Sequence, residues 1–193
     1  MTLKRIPVIP TLLVLAAVGV MVRLGFWQLD RLHQKALLQQ RYAAAQGMNA
    51  DVPWPRTKAD AEQLLFRHSR IDCRAPAADQ PLSGHNAKGE SGWSHMVACT
   101  LADGGKAEIV LGWSRDFAPR QWAGGAIGGI VAEGIAAPAR LFVDAPLAGL
   151  EANARPDPKD LPNNHLSYAF QWFLFAATAL VIYGLALRKR LSA

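Results

Sequence analysis

The chain is poor in cysteine, with two residues in 193. Two cysteines exclude a disulfide-dense scaffold and any zinc cage made of four thiolates. Charged residues are few, at 19%, and unevenly spread. Leu166–Leu187 has none, and Ile6–Leu29 has only Arg23. The common catalytic signatures are missing: G-x-x-x-x-G-K-[ST], G-x-S-x-G, H-E-x-x-H and C-x-x-C. The glycine run 124–129 does not fit G-x-G-x-x-G and follows no clear strand, so no phosphate cradle is expected there. An enzymatic role is not expected. What is abundant is apolar side chain, 51% of residues, which excludes a wholly disordered chain.

The formal net charge of +6 is almost all terminal. Lys4 and Arg5 sit at one end, and Arg188, Lys189 and Arg190 at the other. The rest of the chain holds 16 basic residues against 15 acidic ones. A nucleic-acid binder carries its excess as a patch within the domain, so nucleic acid is not an expected partner. Short basic clusters beside apolar runs read as cytoplasmic membrane flanks.

Both apolar runs reach the roughly 20 residues that a helix needs to cross a bilayer. The expected layout is a cytoplasmic segment 1–5, a first transmembrane helix 6–29, an extracytoplasmic domain 30–165, a second transmembrane helix 166–187 and a cytoplasmic tail 188–193. The first run also resembles a signal peptide, but no small-x-small cleavage site follows its apolar core. Arg188-Lys189-Arg190 sets the orientation, with both termini cytoplasmic and the long loop outside. In a bacterium this is a multi-pass inner-membrane protein with a periplasmic domain. Arg23 lies near the outer end of its span, where its stem can snorkel or its charge can pair with an anionic group. Trp27, Tyr168 and Trp172 fall near the outer interface as an aromatic belt.

Beyond the first span, Leu32, Ala36 and Leu37 keep a helical stripe, and Gly47, Pro53 and Pro55 end it. Thr57-Lys58-Ala59-Asp60 resembles a capping box before a short helix. Alternation over 93–101 and 107–113, around Asp103-Gly104-Gly105, predicts a β-hairpin. Weaker strands are expected over 66–74, 130–135 and 139–143. Gly124–Gly129 reads as a flexible loop and 154–162, with three prolines, as an extended linker. The expected fold is α+β: two transmembrane helices flanking one antiparallel, strand-rich domain.

His68, Cys73, His95 and Cys99 are chemically able to bind zinc or copper, but their spacing fits no standard site. In an oxidising compartment Cys73 and Cys99 can bridge. Two unpaired thiols are the larger expectation.

The densest stretch is Asn163–Phe173, which enters the second span. On a helix His165, Tyr168, Ala169 and Trp172 share a face, which Ala176 and Ala179 extend. A neutral imidazole at a membrane surface is a natural axial ligand for haem iron, with Ala169 leaving room for a macrocycle and Trp172 able to stack on it. The alternative is an interfacial histidine on a small-residue face that packs on the first span.

Two motifs together resemble one family. Gly25-Phe26-Trp27-Gln28-Leu29-Asp30-Arg31 is similar to a Gly-x-Trp-Gln-x-x-Arg signature at the outer end of a first span. Asn164-His165-Leu166-Ser167-Tyr168-Ala169, with Trp172-Phe173 after it, is similar to a His-Leu-x-Tyr-Ala entry to a second span. Both belong to the Surfeit locus protein one family of cytochrome c oxidase assembly factors. Two positions depart from it: Leu111-Gly112-Trp113 stands where the family often has Arg-Gly-Trp, and Gln171 where Thr is common. The resemblance implies a role in delivering or inserting haem a into subunit I of a haem-copper oxidase, with haem A synthase as a further candidate partner; the two spans add membrane lipid. It implies that His165 is the proposed iron ligand, with Trp172 as a neighbour; Tyr168 and Ala169, on the same helix face, complete the expected cofactor-binding set. His33, outside the first span, is the candidate second ligand. A scaffold that stabilises an oxidase subunit without haem is the rival reading.

Overall fold

The computed structural model describes residues 6–48 and 50–192. Lys4 and Arg5, the expected N-terminal flank, lie outside them. The chain divides into two compact units, one of residues 39–161 and one of the helical segments before and after it.

The helical unit holds most of α1 (Val8–Gln46) and all of α3 (His165–Ser192). Both are long and apolar enough to cross a membrane. α1 runs without a break through the expected span and its polar extension, because Asp30–Gln46 is made of good helix formers. It stops at Gly47. Asn164 offers its carbonyl to the Tyr168 N–H as α3 begins, and Lys189 and Arg190 lie in its last turn, where a cation suits the helix dipole.

The two helices are antiparallel. Thr11 near the start of α1 is hydrogen-bonded to the Tyr183 hydroxyl near the end of α3. Phe26 meets Phe173 edge-on with ring centres 5.4 Å apart. Gly25 sets the approach: a Cβ there would lie 2.6 Å from the Phe173 ring. On α3, Ala169 and Ala176 are buried while Phe170 is 68% exposed. The small residues therefore make the packing face, where their size lets the two helices approach closely.

The second unit is a small barrel. Its strands are β1 (His68–Pro76), β2 (Gln80–His85), β3 (Ser91–Leu101), β4 (Lys106–Ser114), β5 (Gly125–Glu133) and β6 (Ala139–Val143). They run in the order β1-β5-β6-β4-β3-β2, and a β1–β3 pairing closes the ring and leaves β2 at the edge. The expected hairpin is β3–β4, joined by the Asp103–Gly105 turn. The short helix α2 (Lys58–Leu64) starts on the expected capping box, with Thr57 Oγ1 accepting from the Asp60 N–H and Asp60 accepting from the Thr57 N–H.

Three expectations are corrected. The sheet is not wholly antiparallel: β6 lies parallel to β4, pairing Ile109 with Leu141. The β5–β6 hairpin forces this, because it returns the chain beside β4 in β4's own direction. The glycine run is not a flexible loop: from Gly125 onward it is the first half of β5. Glycine serves close approach there, since a Cβ on Gly129 would lie 2.2 Å from the Phe142 carbonyl oxygen. β2 was not expected, because Pro81 and Gly84 are poor strand residues; both are tolerated on an edge.

Core side chains from β1, β3, β4, β5 and β6 fill the barrel, with Ile109, Leu111, Val131 and Leu141 fully buried. β4 is buried on both faces. The segment 147–151 continues along the edge of β4 beyond its pairing with β6, hydrogen-bonding Trp113 to Glu151 and the Leu147 N–H to the Leu111 carbonyl. The last turns of α1 belong to this unit. Tyr42 packs on Phe66 with ring centres 5.0 Å apart, and Gln39 Nε2 donates to the Leu161 carbonyl at 3.0 Å.

Candidate functional site

His165 is the first residue of α3, so its backbone is helical on one side only. Its imidazole is half-buried and held by a side chain of the other helix. Gln28 Oε1 lies 2.7 Å from His165 Nδ1. An amide oxygen only accepts, so Nδ1–H donates, and in the neutral ring the lone pair is then on Nε2. Among the described residues Nε2 has no hydrogen-bond partner. The two motifs singled out in the sequence thus meet at one hydrogen bond. Sequence reasoning quoted Gln28 but assigned it no role. The available signal was an amide at the end of a span whose one charged residue is Arg23.

The neighbours divide. Ala169 is 1% exposed, on the face that packs, while Tyr168 is 50% exposed and makes no part of the Gln28 contact. Trp172 is half-buried, with its ring centre 6.3 Å from that of Phe175. His33 is exposed, and no hydrogen bond joins it to His165. Trp27 carries the Arg31 guanidinium 5.7 Å over its ring. Among the described residues, the surroundings of His165 therefore offer one imidazole nitrogen without a hydrogen-bond partner, an aromatic ring two turns further along the same helix face, and no second imidazole hydrogen-bonded to it.

The other histidines of interest lie in the barrel unit. Cys73 and Cys99 form a disulfide with Cα atoms 5.9 Å apart, which overturns the expectation of two free thiols and removes both sulfurs as metal ligands. The pair joins β1 to β3 where the barrel closes. His95 is fully buried, its Nδ1 2.5 Å from Asp79 Oδ2 and its Nε2 2.8 Å from Ser114 Oγ. This alignment resembles an Asp-His-Ser hydrolase series, but its chemistry differs. The Ser114 hydroxyl donates to the Asp116 carbonyl at 2.6 Å rather than to the ring. Asp79 Oδ2 also accepts the Arg120 N–H at 2.8 Å. The set ties β2, β3 and β4 to the loop that follows β4.

His68 is held between two carboxylates, with Nδ1 2.5 Å from Asp51 and Nε2 2.7 Å from Asp144. The carboxylates sit on opposite edges of the ring and cannot share one ion with it. The Asp144 hydrogen bond, more than the Asp51 one, holds the His68 pKa above the ordinary histidine value against the effect of burial. Asp51, which also receives Arg70 Nε at 2.8 Å, is held below the usual carboxylate range, first by His68. Among the described residues no group of three or more His, Cys, Asp or Glu side chains is placed to hold a metal ion.

Compared with protein families, the chain matches the model of the SURF1 family over residues 15–177. That span includes both motifs and the whole barrel. No curated protein matches the chain.

Proposed function

The chain belongs to the SURF1 family, and from that premise we propose that it is a membrane assembly factor that carries haem a as transient cargo and aids its insertion into subunit I of a haem-copper cytochrome c oxidase. Family membership is consistent with an oxidase-assembly role in general, and members act as assembly factors rather than enzymes. The finer reading is supported by one observation: the Gln28–His165 hydrogen bond uses Nδ1 and leaves the other imidazole nitrogen without a hydrogen-bond partner among the described residues. A neutral imidazole of that form suits a single axial bond to haem iron. The donor set fits a carrier, since one ligand holds a macrocycle yet lets it go.

In this reading α1 and α3 cross the bacterial inner membrane with both termini cytoplasmic. Arg188-Lys189-Arg190 supports that orientation. The Cys73–Cys99 bridge supports an oxidising, extracytoplasmic setting for residues 39–161. Subunit I, haem A synthase and membrane lipid are the partners.

A second reading has its own support. The near-complete burial of Ala169 and Ala176 assigns the small residues of α3 to helix packing, which suits a scaffold that stabilises an oxidase subunit without cargo.

An optical spectrum separates the two. The full chain is purified in detergent from cells that make haem a, beside His165→Ala. A haem a band that disappears in the variant supports carriage by His165. A wild type without haem, on which oxidase assembly still depends, supports the scaffold.

A further inference from the structure

We propose that Gln28 is a positioning residue for His165: its side-chain oxygen selects the Nδ1–H form of the imidazole and turns Nε2 outward as the metal-binding atom. The inference rests on the reading of His165 as the haem ligand. A neutral imidazole has two forms of similar energy, and the hydrogen bond made by one nitrogen decides which of them carries the lone pair. Here the choice is made by a group from the other helix, 137 residues away in sequence. His165 needs such an anchor, because it stands at the first position of α3, where helical packing restrains a side chain on one side only.

Gln28 is itself well supported. One turn before it, Gly25 lets the Phe173 ring approach, and Phe26 meets the same ring edge-on. These contacts set the register of the two helices at the level where Gln28 reaches His165. The ligand atom is therefore presented by the helix pair rather than by α3 alone. Partners that hydrogen-bond a ligating histidine typically account for about 10- to 100-fold in metal affinity. An acceptor stronger than an amide makes the imidazole more electron-rich, which favours the ferric state of a bound iron. Separation of the helices would break the hydrogen bond and weaken the ligand together, a simple route to release.

The test is a titration of haem a into the detergent-purified full chain, with the reduction potential of the product measured by optical redox titration. Gln28→Leu removes the acceptor and is expected to weaken binding by roughly 10- to 100-fold. Gln28→Glu keeps an acceptor of the same length and is expected to restore binding to near the wild-type level while lowering the potential. A residue that merely packs the helices would not move the potential while affinity is kept. If His165→Ala loses haem a but both Gln28 variants bind with wild-type affinity and potential, the positioning role is overturned and the ligand assignment stands. If His165→Ala binds as well as the wild type, the ligand assignment itself fails.

Discussion

Gln28 Oε1 and His165 Nδ1 lie 2.7 Å apart across the helix pair. Each belongs to a short motif at the same end of that pair, and nothing between the motifs in the chain brings them together except antiparallel packing of α1 on α3. That packing has a narrow point at Gly25, where Phe173 occupies the space of a side chain.

Gly25→Leu should therefore act at a distance. The added side chain must displace the Phe173 ring, which is also held edge-on by Phe26. The helices part or rotate, and Gln28 no longer reaches His165. The expected outcome is a loss of copurified haem a approaching that of His165→Ala, with the barrel still folded. Near-ultraviolet circular dichroism of the barrel tryptophans and the haem a spectrum, read on the same sample, check both halves. Wild-type haem a content in the variant would separate the Gln28 contact from helix packing.

The His68 cluster predicts a pH dependence of stability. Its folded pKa is raised by Asp144 and Asp51 above the unfolded value of about 6.5. A raised histidine contributes stability that is full below the unfolded pKa and is lost as pH rises through the folded one. Asp51 is depressed, so its share is full above the ordinary carboxylate pKa and is lost as pH falls through the lower folded value. The cluster thus stabilises the barrel most in mildly acidic solution. The difference in melting temperature between wild type and His68→Gln should be largest there and should shrink toward pH 9. A difference that stays constant over that range would contradict the argument.

Glu108 is a buried carboxylate with a clear structural task. Its oxygens accept the N–H groups of Ile135, Ala136 and Ala137, fixing the β5–β6 turn over β4. Burial by itself raises its pKa, but these three N–H groups, with Arg140 beside them, outweigh it and hold the carboxyl below its usual range. Glu108→Ala leaves the three donors without a partner, at a cost of about 3 kcal/mol. Urea unfolding of the full chain in detergent, followed by tryptophan fluorescence, should show a midpoint lowered accordingly. Being depressed, Glu108 loses its contribution as pH falls through its folded value, so the gap between wild type and variant should close in acid.

The Cys73–Cys99 bridge closes a loop with a sequence separation of 26 and joins strands that pair directly. Chain-entropy arguments give such a loop about 3 kcal/mol of stabilisation. Reduction, or Cys73→Ser with Cys99→Ser, should lower the melting temperature of the barrel by several degrees and leave the helical content of α1 and α3 unchanged. A melting temperature insensitive to reductant would show that β1–β3 pairing holds without the link.

Much of this architecture is legible in the sequence because it depends on local chemistry. The two long apolar runs, the capping box at Thr57, the turn at Asp103–Gly105 and the alternation of β3 and β4 each follow from side chains close in sequence. His165 and the motif around it stand out for the same reason: a polar group opening an apolar helix is costly unless it serves something. What the tertiary structure alone decided depends on which distant segments meet. β6 became parallel to β4 through the path of the intervening hairpin, and Gly124–Gly129 became mostly strand because it pairs with β1 and, at Gly129, with β6. Cys73 and Cys99 became a disulfide because β1 closes the barrel on β3. Gln28 gained a role only when the helices paired. A hydrogen bond is short-ranged and directional, so sequence can supply the donor and the acceptor, but only the packing of Gly25 against Phe173 brings them within 2.7 Å of each other.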